Sequence, residues 1–251
     1  DSGRGSHIAP GPYQPLERAP MLVGERDALA AGIVPLAGEP LVFSADALVR
    51  PASFGTLRLE PLHRVHDARY MAYWRTTTAV GYPAVVAAIE AAERERQALE
   101  TRTLDLVQPG EQQPEVDHAY RGRDSATGSF LGRPWRDAGG AFSYRLQPRR
   151  PVAAGAPLAL QLTLFGGEWQ AGMEVRADGR TLATITLDGK GSDDFVAHVV
   201  ALPPALATVA VRDGIQVEFV AHEDRRTPRL FELRLLEAEA DLPESAAPTG
   251  D

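Results

Sequence analysis

Three carboxylic acids fall close together in the chain: Glu111, Glu115 and Asp117. A pair of such groups is the equipment of a glycosidase. One protonates the leaving oxygen while the other acts as nucleophile or activates water. The geometry is demanding, roughly 5–5.5 Å between carboxyls for retention and about 6.5–9.5 Å for inversion. The plainer reading is that these acids hydrogen-bond the backbone of their own segment and a neighbouring domain. Asp117-His118 has the composition of an acid–base dyad, with Ser125 and Ser129 following. Neither serine stands in a nucleophile-elbow setting, and side chains adjacent in sequence seldom face each other. His63, His66 and Asp67 form H-x-x-H-D. Histidines three apart share a helix face but point to opposite sides of a strand. The expectation is therefore local hydrogen bonding for His66 and Asp67, with no metal and no cofactor assigned.

Two tryptophans are candidates for contact with a sugar. Trp135, followed by Arg136 and Asp137, has an aromatic face beside hydrogen-bonding groups. The alternative is a buried anchor with an Arg–Asp pair beside it, a common use of Trp. Trp169, in Phe165-Gly166-Gly167-Glu168-Trp169, sits at a strand end and is the second candidate platform. Gln112, Glu115, Asp117, His118, Trp135 and Arg136 are taken together as loop or interface candidates.

These residues must be held by something. The chain of 251 residues can bury one large core or two modest ones. Its 23 glycines and 20 prolines, against 6 Tyr and 8 Phe, imply many turns, as in β-rich folds. The net charge of −8 argues against nucleic acid or an anionic membrane as partner, because both need clustered Lys and Arg. No apolar run approaches the roughly 20 residues of a membrane span. The chain has no cysteine, which excludes disulfides, a thiolate nucleophile and a thiolate zinc site. Cysteine usage leaves cytoplasmic, periplasmic and secreted settings all open.

The expected class is mainly β: a small antiparallel β unit, one bracing helix, then a jelly-roll-like β-sandwich. Residues 1–20, rich in proline, read as an extended strap, and the opening DSGRGSHIAPGP reads as the continuation of a longer chain. Residues 21–78 form the first β unit, with the aromatic run 70–74 as its central strand. Residues 79–104 carry the helix, where Val85, Ile89, Ala92 and Leu99 share a face and Glu90–Arg94 is a favourable i,i+4 pair. Residues 105–140 lack clean periodicity and read as a long polar loop packing on another domain or subunit. Residues 141–236 alternate regularly. Leu158, Leu160, Leu162 and Leu164 mark one strand face, and Asp178-Gly179 marks a hairpin turn. Residues 237–251 are an acidic tail expected to fray.

Four segments together carry a family resemblance. They are Ser6-His7-Ile8 with Gly11-Pro12 and residues 16–20 (LERAP), residues 61–74 (PLHRVHDARYMAYW), residues 110–118 (GEQQPEVDH), and residues 132–144 (GRPWRDAGGAFSY). They resemble the C-terminal, non-barrel part of the bacterial β-L-arabinofuranosidase-type glycoside hydrolases, glycoside hydrolase family 127 and its relatives. The resemblance spans residues 5 to 236. His63 departs from it, since the family has an aromatic residue there, and is expected to fill that slot. In the family a helical barrel carries the cysteine nucleophile and the zinc ligands, so no residue of this chain inherits either. The resemblance implies a non-catalytic accessory region that braces such a barrel. It implies as partners the barrel, a second copy of the chain through the β-domains, and a plant-type glycan. Two other readings stay open: an autonomous carbohydrate-binding module, and a stand-alone hydrolase using residues 111–117.

Overall fold

The computed structural model describes residues 21–45, 49–50, 57–64, 75–222 and 224–238. The aromatic run 70–74, His66, Asp67, the strap and the tail beyond residue 238 lie outside them. The chain divides into two compact units, residues 1–97 and 98–251.

The first unit is built from short strands separated by breakers. These are β1 (Met21–Val23), β2 (Val34–Pro35), β3 (Phe43–Ala45), β4 (Val49–Arg50), β5 (Leu57–Leu59) and β6 (Arg75–Thr77), with helix α1 (Arg26–Ala31) after β1. They make two three-stranded sheets, β4-β1-β6 and β2-β3-β5. Among the described residues these strands pair antiparallel except β1 with β6, which pair parallel. The core is small: Leu22, Ala45 and Val49, with Leu29, Ile33 and Leu57 against it. His63 sits on a 3-10 turn, Leu62–Arg64, and is exposed rather than filling a slot.

Helix α2 (Tyr82–Arg102) follows. Thr78 accepts a hydrogen bond from the Gly81 N–H just before it, 3.0 Å. None of its residues is buried. Glu90 and Arg94 approach to 3.9 Å and Arg96 and Glu93 to 2.8 Å. This is a solvated helix supported by propensity and ion pairs.

The second unit is a β-sandwich. Its strands are β7 (Thr103–Val107), β8 (Arg121–Phe130), β9 (Arg133–Leu146), β10 (Leu158–Phe165), β11 (Ala171–Ala177), β12 (Arg180–Leu187), β13 (Phe195–Ala201), β14 (Ile215–Ala221) and β15 (Glu232–Glu237). One sheet has the order β13-β10-β15-β7, the other β12-β11-β14-β9-β8. The named strands all pair antiparallel among the described residues. The period-2 pattern places the core. Leu158, Leu160, Leu162 and Leu164 of β10, and Leu233 and Leu235 of β15, face Phe142, Tyr144, Val175, Val217 and Phe219 of the other sheet. All of these are 0–1% exposed. Asp178 and Gly179 both take positive φ, 44° and 80°, the two-residue turn expected between β11 and β12.

Two expectations are corrected. Residues 105–140 are not a loop. They form most of β7, helix α3 (Gln112–Asp117), all of β8 and half of β9. The sandwich therefore begins before residue 105, not at 141. β8 escaped notice because it is an edge strand exposed along nearly its whole length, so nothing selects alternating apolar residues. Its turn into β9, Leu131-Gly132, also has two positive φ angles, 49° and 77°, but puts a leucine where Asn or Asp would announce it. Secondly, residues 204–213 form a helix, α4 (Pro204–Asp213), which opens on a proline and is closed by Gly214 at φ 78°. Both end signals stand in the sequence. Ala207 and Ala210 bury its inner face.

Candidate functional site

The polar residues singled out from sequence converge around α3, which is tied to β9 of one sheet through Glu115 and, through His118, to β7 of the other. The chain leaves β7, turns at Gly110 and enters the helix. Gly110 has φ +86°, and a Cβ there would lie 2.6 Å from Thr127 Oγ1 and 2.7 Å from the Trp135 carbonyl oxygen. Only glycine fits both the angle and the space. Its N–H donates to Glu115 Oε1 at 2.9 Å. Arg136, from β9, grips the same carboxylate through two nitrogens, Nε to Oε1 at 2.5 Å and Nη2 to Oε2 at 2.7 Å. Tyr144, also from β9, donates to Oε1 at 2.8 Å. Arg136 Nη1 reaches Ser125 Oγ at 2.8 Å, and the guanidinium lies 4.2 Å over the Tyr120 ring.

Glu115 is thus committed. Burial pushes its carboxyl upward, but the hydrogen bonds from Arg136, Gly110 and Tyr144 outweigh burial and hold it below the usual carboxylate range. Burial, and then the charge of Glu115, push the Tyr144 phenol far above its ordinary value, so it stays a donor. An ionised, bidentate-paired carboxylate cannot serve as general acid. Glu111, Gln112 and Asp117 are exposed while Glu115 is buried, so the three acids do not meet around one site. An open cleft of about 600 Å³ borders Gln112, Glu115, Tyr120, Thr127 and Arg136.

The Asp117–His118 dyad does not form. Asp117 accepts a hydrogen bond from Gln113 at 2.7 Å on the solvent side. His118 is buried and turns to Asp105 of β7, Nε2 to Oδ1 3.2 Å, with Nδ1 2.6 Å from the Pro114 carbonyl oxygen. Asp105 also accepts from Arg149 Nε at 2.7 Å and from the Gln147 N–H at 2.9 Å. Sequence reasoning missed Asp105, although a charged residue between Leu104 and Leu106 in an apolar strand was the signal. Arg149 Nη2 is 3.1 Å from His118 Nε2, which sets donor against donor once Nε2 is protonated. The Arg149 side chain is 64% exposed, so solvent screens that opposition.

Burial lowers the His118 pKa, but Asp105 and the Pro114 carbonyl raise it further, and the net shift is upward from 6.5. Burial raises that of Asp105, but His118, Gln147 and Arg149 bring it below 3.8. A raised histidine stabilises the fold below 6.5 and loses that contribution as pH rises through its folded value. A lowered aspartate stabilises above 3.8 and loses its contribution as pH falls through its folded value. The pair is therefore strongest between these limits. As pH rises from 6.5 through the raised folded value of His118, the urea midpoint of the native chain should fall relative to that of His118→Gln. Parallel pH profiles for the two proteins would contradict the pairing.

Trp135 and its neighbours are arranged differently from expectation. Arg136 and Asp137 do not pair with each other, since adjacent strand residues face opposite ways. Asp137 binds Arg226 at 2.6 Å. The half-buried Trp135 ring covers Gly128, where a Cβ would lie 2.7 Å from Cζ2. Its indole N–H is buried and has no hydrogen-bond partner among the described residues. Trp169, in contrast, is 66% exposed. Ser125 Oγ is shared between Tyr120 and Arg136, and Ser129 is exposed. Among the described residues, no three His, Asp or Glu side chains converge to hold a metal ion.

Fold and site define a two-sheet antiparallel β-sandwich whose edge is sealed by buried ion pairs. Residues 98–236, more than half of the chain, match a family of unknown function, DUF6805, and the chain belongs to that family. The match begins where the second unit begins. Residues 1–76 match a second domain of unknown function, DUF4986. No curated protein matches the chain. Among solved structures, similarity extends to carbohydrate-binding modules and glycosidase domains. A family 35 carbohydrate-binding module from Clostridium thermocellum is 11% identical, with 53% of this chain and 99% of that chain covered and a TM-score of 0.35. The family 35 module of Cellvibrio japonicus Abf62 is 14% identical, with 54% and 94% covered and a TM-score of 0.37. An exo-β-1,3-galactanase from Phanerochaete chrysosporium is 12% identical, with 53% of this chain but 29% of that chain covered and a TM-score of 0.37.

Proposed function

We propose that this chain is the non-catalytic, β-rich accessory region of a glycoside hydrolase of the β-L-arabinofuranosidase type, and that it braces a catalytic helical barrel. One observation carries the reading. The residues on which the sequence resemblance rests, Gly110, Glu115, Arg136 and Tyr144, bind one another. Two motifs that looked like site chemistry are thereby spent on joining α3 to β9. The hydrolase reading of residues 111–117 loses its central carboxylate to this arrangement.

The purified chain should release no arabinose from an aryl β-L-arabinofuranoside. Release above background that disappears in Glu115→Gln would overturn the reading. The coding sequence upstream of Asp1 is the second test. The proposal requires a contiguous helical-barrel segment with a cysteine-rich zinc motif, and its absence would sink the bracing role.

A further inference from the structure

We infer that Trp169 and the turn beside it form a glycan-binding platform on the sandwich, beyond the bracing role. Trp169 lies in the connection from β10 to β11, and 66% of it faces solvent. Its ring packs against Gly189, in the connection from β12 to β13. Gly189 has φ +74°, and a Cβ there would come within 2.4 Å of indole Cε3. The two connections are tied together by Gly189 N–H to Glu168 O at 2.8 Å and Gly166 N–H to Asp194 O at 2.9 Å. Next to Trp169, Glu168 is anchored by Arg229, Nε to Oε1 2.9 Å and backbone N–H to Oε2 3.0 Å. The exposed ring is therefore presented on a fixed base, with little ordering left for a ligand to impose.

The rim decides what fits the ring. Asp188 and Lys190 flank Gly189, pair at 3.0 Å and keep 56% and 80% of their side chains exposed. Residues 166–170 and 188–194 contribute no other exposed large apolar side chain. A protein partner would want contiguous apolar area at the centre of its contact. A sugar ring needs one aromatic face for its C–H groups, whose partial positive charge meets the negative face of the indole, and polar groups at the edge for its hydroxyls. Asp188 supplies acceptors and Lys190 donors. The ligand class is a neutral polysaccharide.

The test is electrophoresis of the whole chain through native gels containing soluble arabinan, xylan or β-1,3-glucan. At least one should retard it. Trp169→Ala should weaken that retardation at least about tenfold, the effect of losing roughly 1.4 kcal/mol of binding. Trp169→Phe should recover part of it, and Asp188→Ala/Lys190→Ala, altering only exposed groups, should weaken it while leaving the thermal midpoint in place. No retardation in any of the three gels, or retardation that persists in both the Trp169→Ala and the double variant, would overturn the proposal. Neither result touches the bracing role, which rests on hydrolysis assays and the upstream coding sequence.

Discussion

Replacing Arg136 with methionine is expected to destabilise the second unit by about 3–5 kcal/mol, because it strands an ionised carboxylate in a buried place. Glu115 and Arg136 side chains are only 9% and 11% exposed. Tyr144 and the Gly110 N–H would remain as donors, but neither carries charge. The loss is large against the roughly 5–15 kcal/mol of a typical domain. Removing both partners should cost much less. Glu115→Leu/Arg136→Met eliminates the stranded charge, and buried ion pairs often exchange for apolar groups at little net cost. Equilibrium urea unfolding of the two single variants and the double gives the coupling. Additive losses would mean that the pair is solvated and that α3 is not fastened by it.

Gly110→Ala is expected to cost about 2–5 kcal/mol, nearly as much as breaking the ion pair. A non-glycine residue in left-handed backbone costs about 1–2 kcal/mol, and forcing a methyl into occupied space adds about 1–3 kcal/mol. Gly132→Ala is the control. Gly132 has a similar φ, +77°, but a Cβ there meets nothing within 4 Å. It should show the backbone cost alone. The difference between the two urea midpoints isolates the collision with Thr127 and the Trp135 carbonyl. Equal losses would show that the Gly110 turn moves aside, and that it does not position Glu115.

The legible parts of this fold are those in which local pattern and burial coincide. The four leucines of β10 could be read as one face because both the strand period and the core act on them. The turn at Asp178-Gly179 was legible because its two residues favour positive φ. α2 was legible from propensity and from a shared apolar face, although none of its residues is buried. β8 was not legible, because an edge strand bathed in solvent carries no period to read. The site divides similarly. Glu115, His118 and Arg136 were singled out, but their roles depend on Asp105, Tyr144 and Arg149, which other elements bring to them. The pairing of His118 with adjacent Asp117 was set aside because adjacency in the chain turns side chains apart, but its true partner, Asp105, lies thirteen residues away in β7 and carried no local signal of the contact.

The strand order of the sandwich has a consequence for how the unit is made. β7, its first strand, hydrogen-bonds to β15, its last, and β15 also lies between β7 and β10. Nearly the whole unit must be synthesised before its opening strand finds a partner. Pairings that close so long a loop are entropically late and slow. Until β15 arrives, the leucine-rich β10 keeps one open edge, and β7 has none of its ladder. A chain stopped short of Glu232 leaves that edge of β10 and the whole of β7 unpaired, the condition in which strand edges recruit other chains. Completion of the sandwich, and its protection from aggregation during synthesis, therefore hang on the final six-residue strand.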